Sequence, residues 1–438
     1  MEQQTYFHSV TLNKELCHGC INCVKRCPTE AIRVRDGKAR ILKERCIDCG
    51  ECIRICPHHA KTAVSDSMED LDRFEYKIAL PAPVLYSQFV HLDCLERVVK
   101  GLLELGFDEV FEVGAAAELV SESTKKLMEH HDLPQPIISS ACPAVIRLIQ
   151  VRFPDLLTHI LPLLPPVDLA AAMARRAAMK KTGLPAEKIG IAFLSPCPAK
   201  VTAAKVPLGM SHSNVDAVVA ISRLYPALTQ IMKDLEPQDF ENLSHVGSNG
   251  IFWSTSSGES SAASMRRYLA ADGVENIIKI LEAIENEQFT RLDFIELSAC
   301  PGGCVGGVMN VENPYAATAR IKRLARELPA VRNHWPIPER PEEIKFTEPI
   351  KPLGIWALDA NPSKSLEMFA AMQELEVRFP GLDCGSCGSP TCHALAEDIV
   401  RGYSDEDACI YVLKEKLEAV AASLAHLVPP SAGKEGAK

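Results

Sequence analysis

Glu296-Leu-Ser-Ala-Cys-Pro-Gly-Gly-Cys-Val-Gly-Gly307 decides how this chain is read. It continues the apolar run Asp293-Phe-Ile-Glu-Leu-Ser298, whose composition fits a buried strand. The run ends on a C-x3-C pair set among glycines, and glycine lets the backbone approach a bulky group closely. Two earlier segments share the design. One is Ile138-Ser-Ser-Ala-Cys-Pro-Ala144. The other is Leu194-Ser-Pro-Cys-Pro-Ala-Lys200, which closes the run Lys188-Ile-Gly-Ile-Ala-Phe-Leu-Ser195. Helical patterns such as Leu95-Glu-Arg-Val-Val-Lys-Gly-Leu-Leu-Glu-Leu105 lie between, so the middle of the chain reads as α/β. In such folds the loops after parallel strands meet at one site. Cys142, Cys197, Cys300 and Cys304 then match the ligand set of a cubane iron–sulfur cluster.

Upstream, Cys17-His-Gly-Cys-Ile-Asn-Cys-Val-Lys-Arg-Cys-Pro28 recurs 29 residues later as Cys46-Ile-Asp-Cys-Gly-Glu-Cys-Ile-Arg-Ile-Cys-Pro57. Each half reads C-x2-C-x2-C-x3-C-P. In this spacing the fourth cysteine ligates the other cluster. Cys17, Cys20, Cys23 and Cys56 are therefore expected to hold one 4Fe-4S cluster, and Cys46, Cys49, Cys52 and Cys27 a second. Zinc is the competing reading, but its sites usually lack the third cysteine two residues on. Over residues 1–61 there are 11 Lys/Arg against 7 Asp/Glu. That excess suits either an acidic redox partner or a solvated charged surface.

Downstream, Cys384-Gly-Ser-Cys387-Gly-Ser-Pro-Thr-Cys392 with Cys409 reads C-x2-C-x4-C-x16-C. It suits a third 4Fe-4S cluster with zinc as the alternative. The helical pattern from His393 to Arg401 would place Cys392 at its start, and further helices are expected from Ser365 to Leu375 and from Asp407 to Leu427.

The whole chain has 438 residues, 17 of them cysteine, with 47% apolar and 24% charged residues and a net charge of −10. This is the composition of a globular chain of several domains. The acidic balance, without a Lys/Arg tract, argues against nucleic acid or an anionic membrane as partner. The most apolar stretch, Leu156 to Ala172, is broken by Pro162, Pro165, Pro166 and Asp168, so no membrane span is expected. No secretory signal is read at the start, and a cytoplasmic location is expected. In that reducing compartment many cysteines mean metal rather than disulfides. Cys94, at the start of an apolar helix, is the one cysteine outside the sets and is expected to be buried and inert. His91, His212 and His245 lack metal-type partners, and Trp253, Trp335 and Trp356 form no stacking platform.

The three middle loops resemble those of the iron-only (FeFe) hydrogenases over about residues 78–325, and the first zone resembles a bacterial two-cluster ferredoxin. The C-terminal zone resembles small helical 4Fe-4S domains. The resemblance implies an H-cluster, a 4Fe-4S cubane joined to a diiron unit with CO, cyanide and azadithiolate. Cys142, Cys197, Cys300 and Cys304 would hold the cubane, Cys304 would bridge to the diiron unit, and Lys200 would hydrogen-bond a cyanide. The reaction implied is reversible H2 oxidation and proton reduction.

The departures from the family are specific. The proton-relay cysteine is Ala141, the methionines of the second and third loops are Ser195 and Ser298, the first-loop tryptophan is Val145, and a glycine is Val308. A more polar, differently gated pocket and slow turnover are expected, as in the divergent sensory members. Glu296 and Glu259 are candidates for a replacement proton path, each otherwise a solvated or salt-bridged surface acid. Glu118 and Glu122 lie in the region that supplies relay carboxylates in fast enzymes.

The expected architecture is an α/β multidomain chain: a ferredoxin-like domain (1–75), an α/β hydrogenase-type active-site domain (76–335), a linker or strap (336–365), a small helical iron–sulfur domain (366–427) and a disordered tail (428–438). Expected partners are H2 and protons, a redox partner such as ferredoxin or a signalling protein, and hydrogenase maturation factors. The rival reading is a non-catalytic electron-transfer or iron–sulfur-assembly protein with only a cubane at the hydrogenase-like site.

Overall fold

The computed structural model describes residues 7–129, 133–236, 243–332 and 344–425. Trp335, residues 336–343 of the expected linker, residues 426–427 of the expected last helix, and the tail 428–438 lie outside the described residues.

The N-terminal repeat folds as two copies of one loop-and-turn unit. Strand β1 (Val10–Leu12) precedes a hairpin of β2 (Ile32–Arg35) and β3 (Lys38–Ile41), and β4 (Lys61–Ala63) returns to pair antiparallel with β1. Each copy has one helical turn, Asn22–Lys25 and Glu51–Arg54, that carries its third cysteine.

The central region contributes β5 (Tyr76–Pro81), β6 (Glu109–Val110), β7 (Ile137–Ile138), β8 (Ile189–Ser195), β9 (Ala217–Ala220), β10 (Tyr268–Asp272) and β11 (Phe294–Ser298). These form two parallel sheets, in the orders β6-β5-β8-β9 and β10-β11-β7. Strands β8 and β9 are buried along their whole length, as expected of parallel strands covered on both faces by helices. Helix Leu95–Glu104 turns Leu95, Val98, Val99 and Leu102 inward, the i, i+3, i+4, i+7 stripe of an amphipathic helix. Each sheet has its own hydrophobic core, and the site lies between the two.

Two of the Cys-Pro dipeptides, Cys142-Pro143 and Cys197-Pro198, convert strand ends into helix starts. Cys142 and Cys197 are extended N-cap residues, and Pro143 and Pro198 open helices Pro143–Arg152 and Pro198–Lys205. Proline suits that position, because its missing N–H would be unpaired there anyway and its φ is already helical. Gly307 then locks the third loop onto the second, since a Cβ there would meet the Pro196 carbonyl oxygen at 2.4 Å.

After residue 343 the chain is a strap docked on the central domain rather than a free linker. The backbone N–H groups of Phe346 and Leu353 donate to the carbonyls of Pro162 and Gln150, and Trp356 Nε1 donates to the Val151 carbonyl at 2.9 Å. Helix Pro362–Arg378 begins inside the expected linker, capped by Asn361. Helix Cys392–Val400 has Cys392 as its first residue, and Cys409 directly precedes helix Ile410–Ala425.

This C-terminal unit is clamped to β2. Asp398 accepts from Arg33 Nε (2.6 Å) and Arg35 Nη2 (2.7 Å), and Glu397 forms a bidentate pair with Arg45. The basic excess of the N-terminal segment is therefore spent in part inside the molecule, not on a solvated surface or an outside partner. Gly388 makes the approach possible: its φ is +80°, its carbonyl accepts from Val34 N, and a Cβ there would sit 2.0 Å from the Val34 oxygen. Among the described residues no helix is long and apolar enough to cross a membrane.

Candidate functional site

The three cysteine loops of the central region converge. Cys142 follows β7, Cys197 follows β8 and Cys300 and Cys304 follow β11, and all four line one cavity of about 1000 Å³, its open mouth included. Burial drives the Cys197 thiol well above its usual value, and the charges of Cys300 and Cys142 add to this. Burial pushes Cys300 up to about 11. Cys304 opens into the cavity but is desolvated by the surrounding protein, which takes it to about 12, with Lys200 pulling the other way. Buried thiols such as Cys197, Cys300 and Cys304 become stable anions together only around a cationic centre. That is the fit a cubane requires, with four thiolate ligands on one enclosed space.

The other two expected domains show the same convergence. Cys27, Cys46, Cys49 and Cys52 line one space, with Cys27 coming from the first repeat. Cys23 interacts electrostatically with Cys20, Cys17 and Cys56, the complementary set. Backbone N–H groups already aim at sulfur: Ala31 N at Cys27 Sγ (3.2 Å) and Ala60 N at Cys56 Sγ (3.3 Å), equivalent contacts in the two repeats. Cys384, Cys387, Cys392 and Cys409 line a further space. Cys94 belongs to none of these. It is the N-cap of helix Leu95–Glu104 and is part-buried rather than fully buried, with burial raising its thiol.

Lys200 lines the central cavity, and its Nζ donates to the Ala141 carbonyl at 2.9 Å. Ala141 also lines it, and its side chain offers no proton. The two serines that stand for methionines diverge. Ser298 lines the cavity. Ser195 is fully buried and its hydroxyl is turned onto the Cys197 backbone at 3.1 and 3.2 Å. Ser298 is thus the one of the two that adds a polar group to the wall, which Pro83, Val84, Val113, Phe193 and Leu297 otherwise make largely apolar.

Glu259 and Glu296 are not surface acids. They are 3% and 5% exposed, and both line the cavity. Ser139 Oγ donates to Glu259 Oε2 at 2.5 Å, and Ser260 donates to Glu296 Oε2 through its N–H (2.9 Å) and its hydroxyl (2.8 Å). Burial raises Glu296, although the donors of Ser260 oppose it. Burial and the neighbouring Glu296 together push Glu259 up to about 8. Glu296 has the donors that favour an anion, so Glu259 is the member that keeps the proton at neutral pH.

Glu118 and Glu122 serve elsewhere. Glu118 accepts from Gly247 N at 2.6 Å, and Glu122 pairs with Lys126 on an exposed helix face. Trp253 lines the cavity and donates to Ser121 Oγ at 2.8 Å, a role its position in the sequence did not reveal. Asp168 is another omission. It shares a smaller cavity with Lys200, and burial raises its carboxyl to about 6 against the pull of that lysine. The signal was present, since Asp168 interrupts the most apolar stretch of the chain.

Comparison with known proteins gives the same three parts. The 4Fe-4S dicluster domain model matches residues 9–57 and an Fe-S cluster model matches residues 379–411. The NADP-reducing hydrogenase subunit HndD of Solidesulfovibrio fructosivorans is 26% identical over 261 residues, covering 48% of this chain and 44% of that protein. The periplasmic Fe hydrogenase large subunit of Nitratidesulfovibrio vulgaris is 27% identical over 212 residues, covering 44% and 50%. The chain thus spans about half the length of these curated relatives. A solved structure of a variant of FeFe-hydrogenase HydA1 from Chlamydomonas reinhardtii superposes with a TM-score of 0.50 at 17% identity, covering 66% of this chain and all of that one, and shares the fold. The model for the iron only hydrogenase large subunit, C-terminal domain, matches residues 75–270 and 255–308, the stretch that carries β5 to β11 and all three cysteine loops. Matched in this way over more than half of its length, the chain is a member of the iron-only hydrogenase family, flanked by two iron–sulfur cluster domains.

Proposed function

We propose that this protein interconverts H2 with two protons and two electrons, slowly, at an H-cluster whose cubane is held by Cys142, Cys197, Cys300 and Cys304. The observation that carries this reading is that four converging thiols share one largely apolar cavity with Lys200 and a buried carboxyl pair. When bound, the diiron unit would supply the hydride acceptor and the base that heterolytic H2 cleavage needs.

The chain's own residues do the rest. Lys200 offers a cationic donor to an anionic ligand of that unit. The apolar wall keeps water from the reacting centre. Glu259 holds a proton at neutral pH, and Glu296, fixed by Ser260, is the adjacent acceptor. Ala141 leaves the position of the usual thiol empty of any titratable group, which supports a slow, sensory or regulatory role. The two N-terminal 4Fe-4S clusters and the C-terminal one relay electrons to a redox or signalling partner, and hydrogenase maturation factors install the diiron unit.

Infrared spectroscopy of the matured protein tests this. CO and cyanide stretching bands are expected. Their absence after maturation favours the cubane-only electron-transfer or assembly protein. Ala141→Cys is expected to raise H2 production by up to about 10²–10⁴-fold, the range of a positioned proton donor. An unchanged or lower rate means that the missing thiol is not the limitation.

A further inference from the structure

We infer that the four cluster sites form one unbranched electron wire, in the order active-site cubane, Cys27/Cys46/Cys49/Cys52 cluster, Cys17/Cys20/Cys23/Cys56 cluster, C-terminal cluster. The C-terminal centre is then the terminal at which electrons cross to the outside. This rests on the cluster assignments above and not on the presence of the diiron unit.

The inner end is set by the second repeat. Cys49 itself lines the active-site cavity beside Cys300 and Cys304. Gly50 packs on Val308 so tightly that a Cβ there would come within 2.8 Å of it, and Arg54 Nη2 donates to the Gly306 carbonyl at 2.8 Å. The second repeat therefore abuts the loop that carries two of the active-site thiols.

The outer end is set by the first repeat. Gly385, between Cys384 and Cys387, lies against Ile21 and Lys25, which flank Cys23. A Cβ at Gly385 would be 3.2 Å from Ile21 and 3.4 Å from Lys25. Lys25 Nζ donates to the carbonyls of Asp383 (2.5 Å) and Pro390 (2.9 Å), so one side chain ties the two cluster loops together. Arg35 Nη1 donates to the Cys387 carbonyl at 3.0 Å. The buried Arg33 and part-buried Arg35 pairs with Asp398 fasten this docking. Cys384, the ligand position beside Lys25, is itself exposed, so the C-terminal centre borders the outside.

The electrons balance along this order. One H2 yields two protons and two electrons, and each cubane takes one electron at a time. Two centres share the pair, and the C-terminal cluster passes the electrons singly to two equivalents of a one-electron acceptor, such as a viologen dye or a ferredoxin-class protein.

Electron paramagnetic resonance of the fully reduced full-length protein tests the order, since adjacent reduced cubanes couple magnetically. In Cys20→Ser/Cys23→Ser the signal of the C-terminal cluster is expected to lose its coupling and relax as an isolated centre. In Cys49→Ser/Cys52→Ser it is expected to stay coupled. Should either variant fail to fold, Cys384→Ser/Cys387→Ser gives the reciprocal reading, with the first N-terminal cluster alone changing its relaxation. A C-terminal signal that remains coupled without the first cluster, or that depends on the second, overturns the order. So does an iron content that Cys384→Ser/Cys387→Ser leaves unchanged. Because only the cubanes are read, missing CO and cyanide bands would sink the hydrogenase reading and leave this test intact.

Discussion

Glu259→Gln is expected to lower H2 turnover by about 10²–10⁴-fold while leaving iron content and infrared bands in place. The carboxyl is buried, takes the Ser139 hydroxyl at 2.5 Å and lies beside Glu296 at the cavity wall. Desolvation and the Glu296 charge hold its proton up to about pH 8. It is therefore protonated and able to donate at neutral pH, and ionises above that. H2 production is expected to fall as pH rises through about 8, and this inflection should vanish in the glutamine variant, which cannot donate as an acid. Glu259→Asp, which restores an acid on a shorter stem, should recover part of the rate and the inflection. The same group has a stability signature. The folded chain binds its proton between the ordinary 4.5 and about 8 and the unfolded chain does not, so this group lowers stability as pH rises across that window. A glutamine variant with wild-type turnover would exclude Glu259 from the proton path.

Asp398→Asn is expected to cost about 3–5 kcal/mol, among the larger single effects a folded chain shows. Asp398 is 3% exposed and is the acceptor for Arg33, Arg35 and the Ser389 hydroxyl. Removing its charge leaves the buried Arg33 guanidinium, whose Nη2 already lacks a partner, without compensation. The loss should register as release of residues 362–425 to protease, with the central domain still folded. Low pH should act on the same clamp through Glu397. Burial alone would raise that carboxyl, but Arg45 and Arg401 outweigh it and hold it below its ordinary 4.5. Its contribution is complete above that value and is lost as pH falls through its lower folded value. Denaturant titration at neutral pH checks the first expectation. A shift of under about 1 kcal/mol would mean that the clamp is weaker than its burial implies, as exposed pairs are.

The cysteine sets were legible because spacing alone carries them. C-x2-C-x2-C-x3-C-P written twice predicts a cross-over between the repeats, and Cys27 lines one space with Cys46, Cys49 and Cys52. Ser195 and Ser298 were not separable in this way. Both read as polar replacements in the cavity, yet Ser195 satisfies its hydroxyl on the backbone two residues on and leaves the cavity to its neighbours. Glu259 and Glu296 read equally well as surface acids, because one carboxylate in a loop looks like another until its burial is known.

By itself the sequence determined the class of the protein: three cysteine-bearing parts, an α/β middle with converging loops, and cysteine spacings of iron–sulfur cluster domains. These are local properties of a few residues each. Tertiary structure alone decided three things. It buried Glu259 against Glu296 so that one keeps a proton. It turned Arg33, Arg35 and Arg45 of a basic segment inward as a clamp for Asp398 and Glu397. It set which cluster loop touches which. All three depend on residues from 37 to 365 positions apart in the chain, and a pattern read along one segment carries no information about what folds against it.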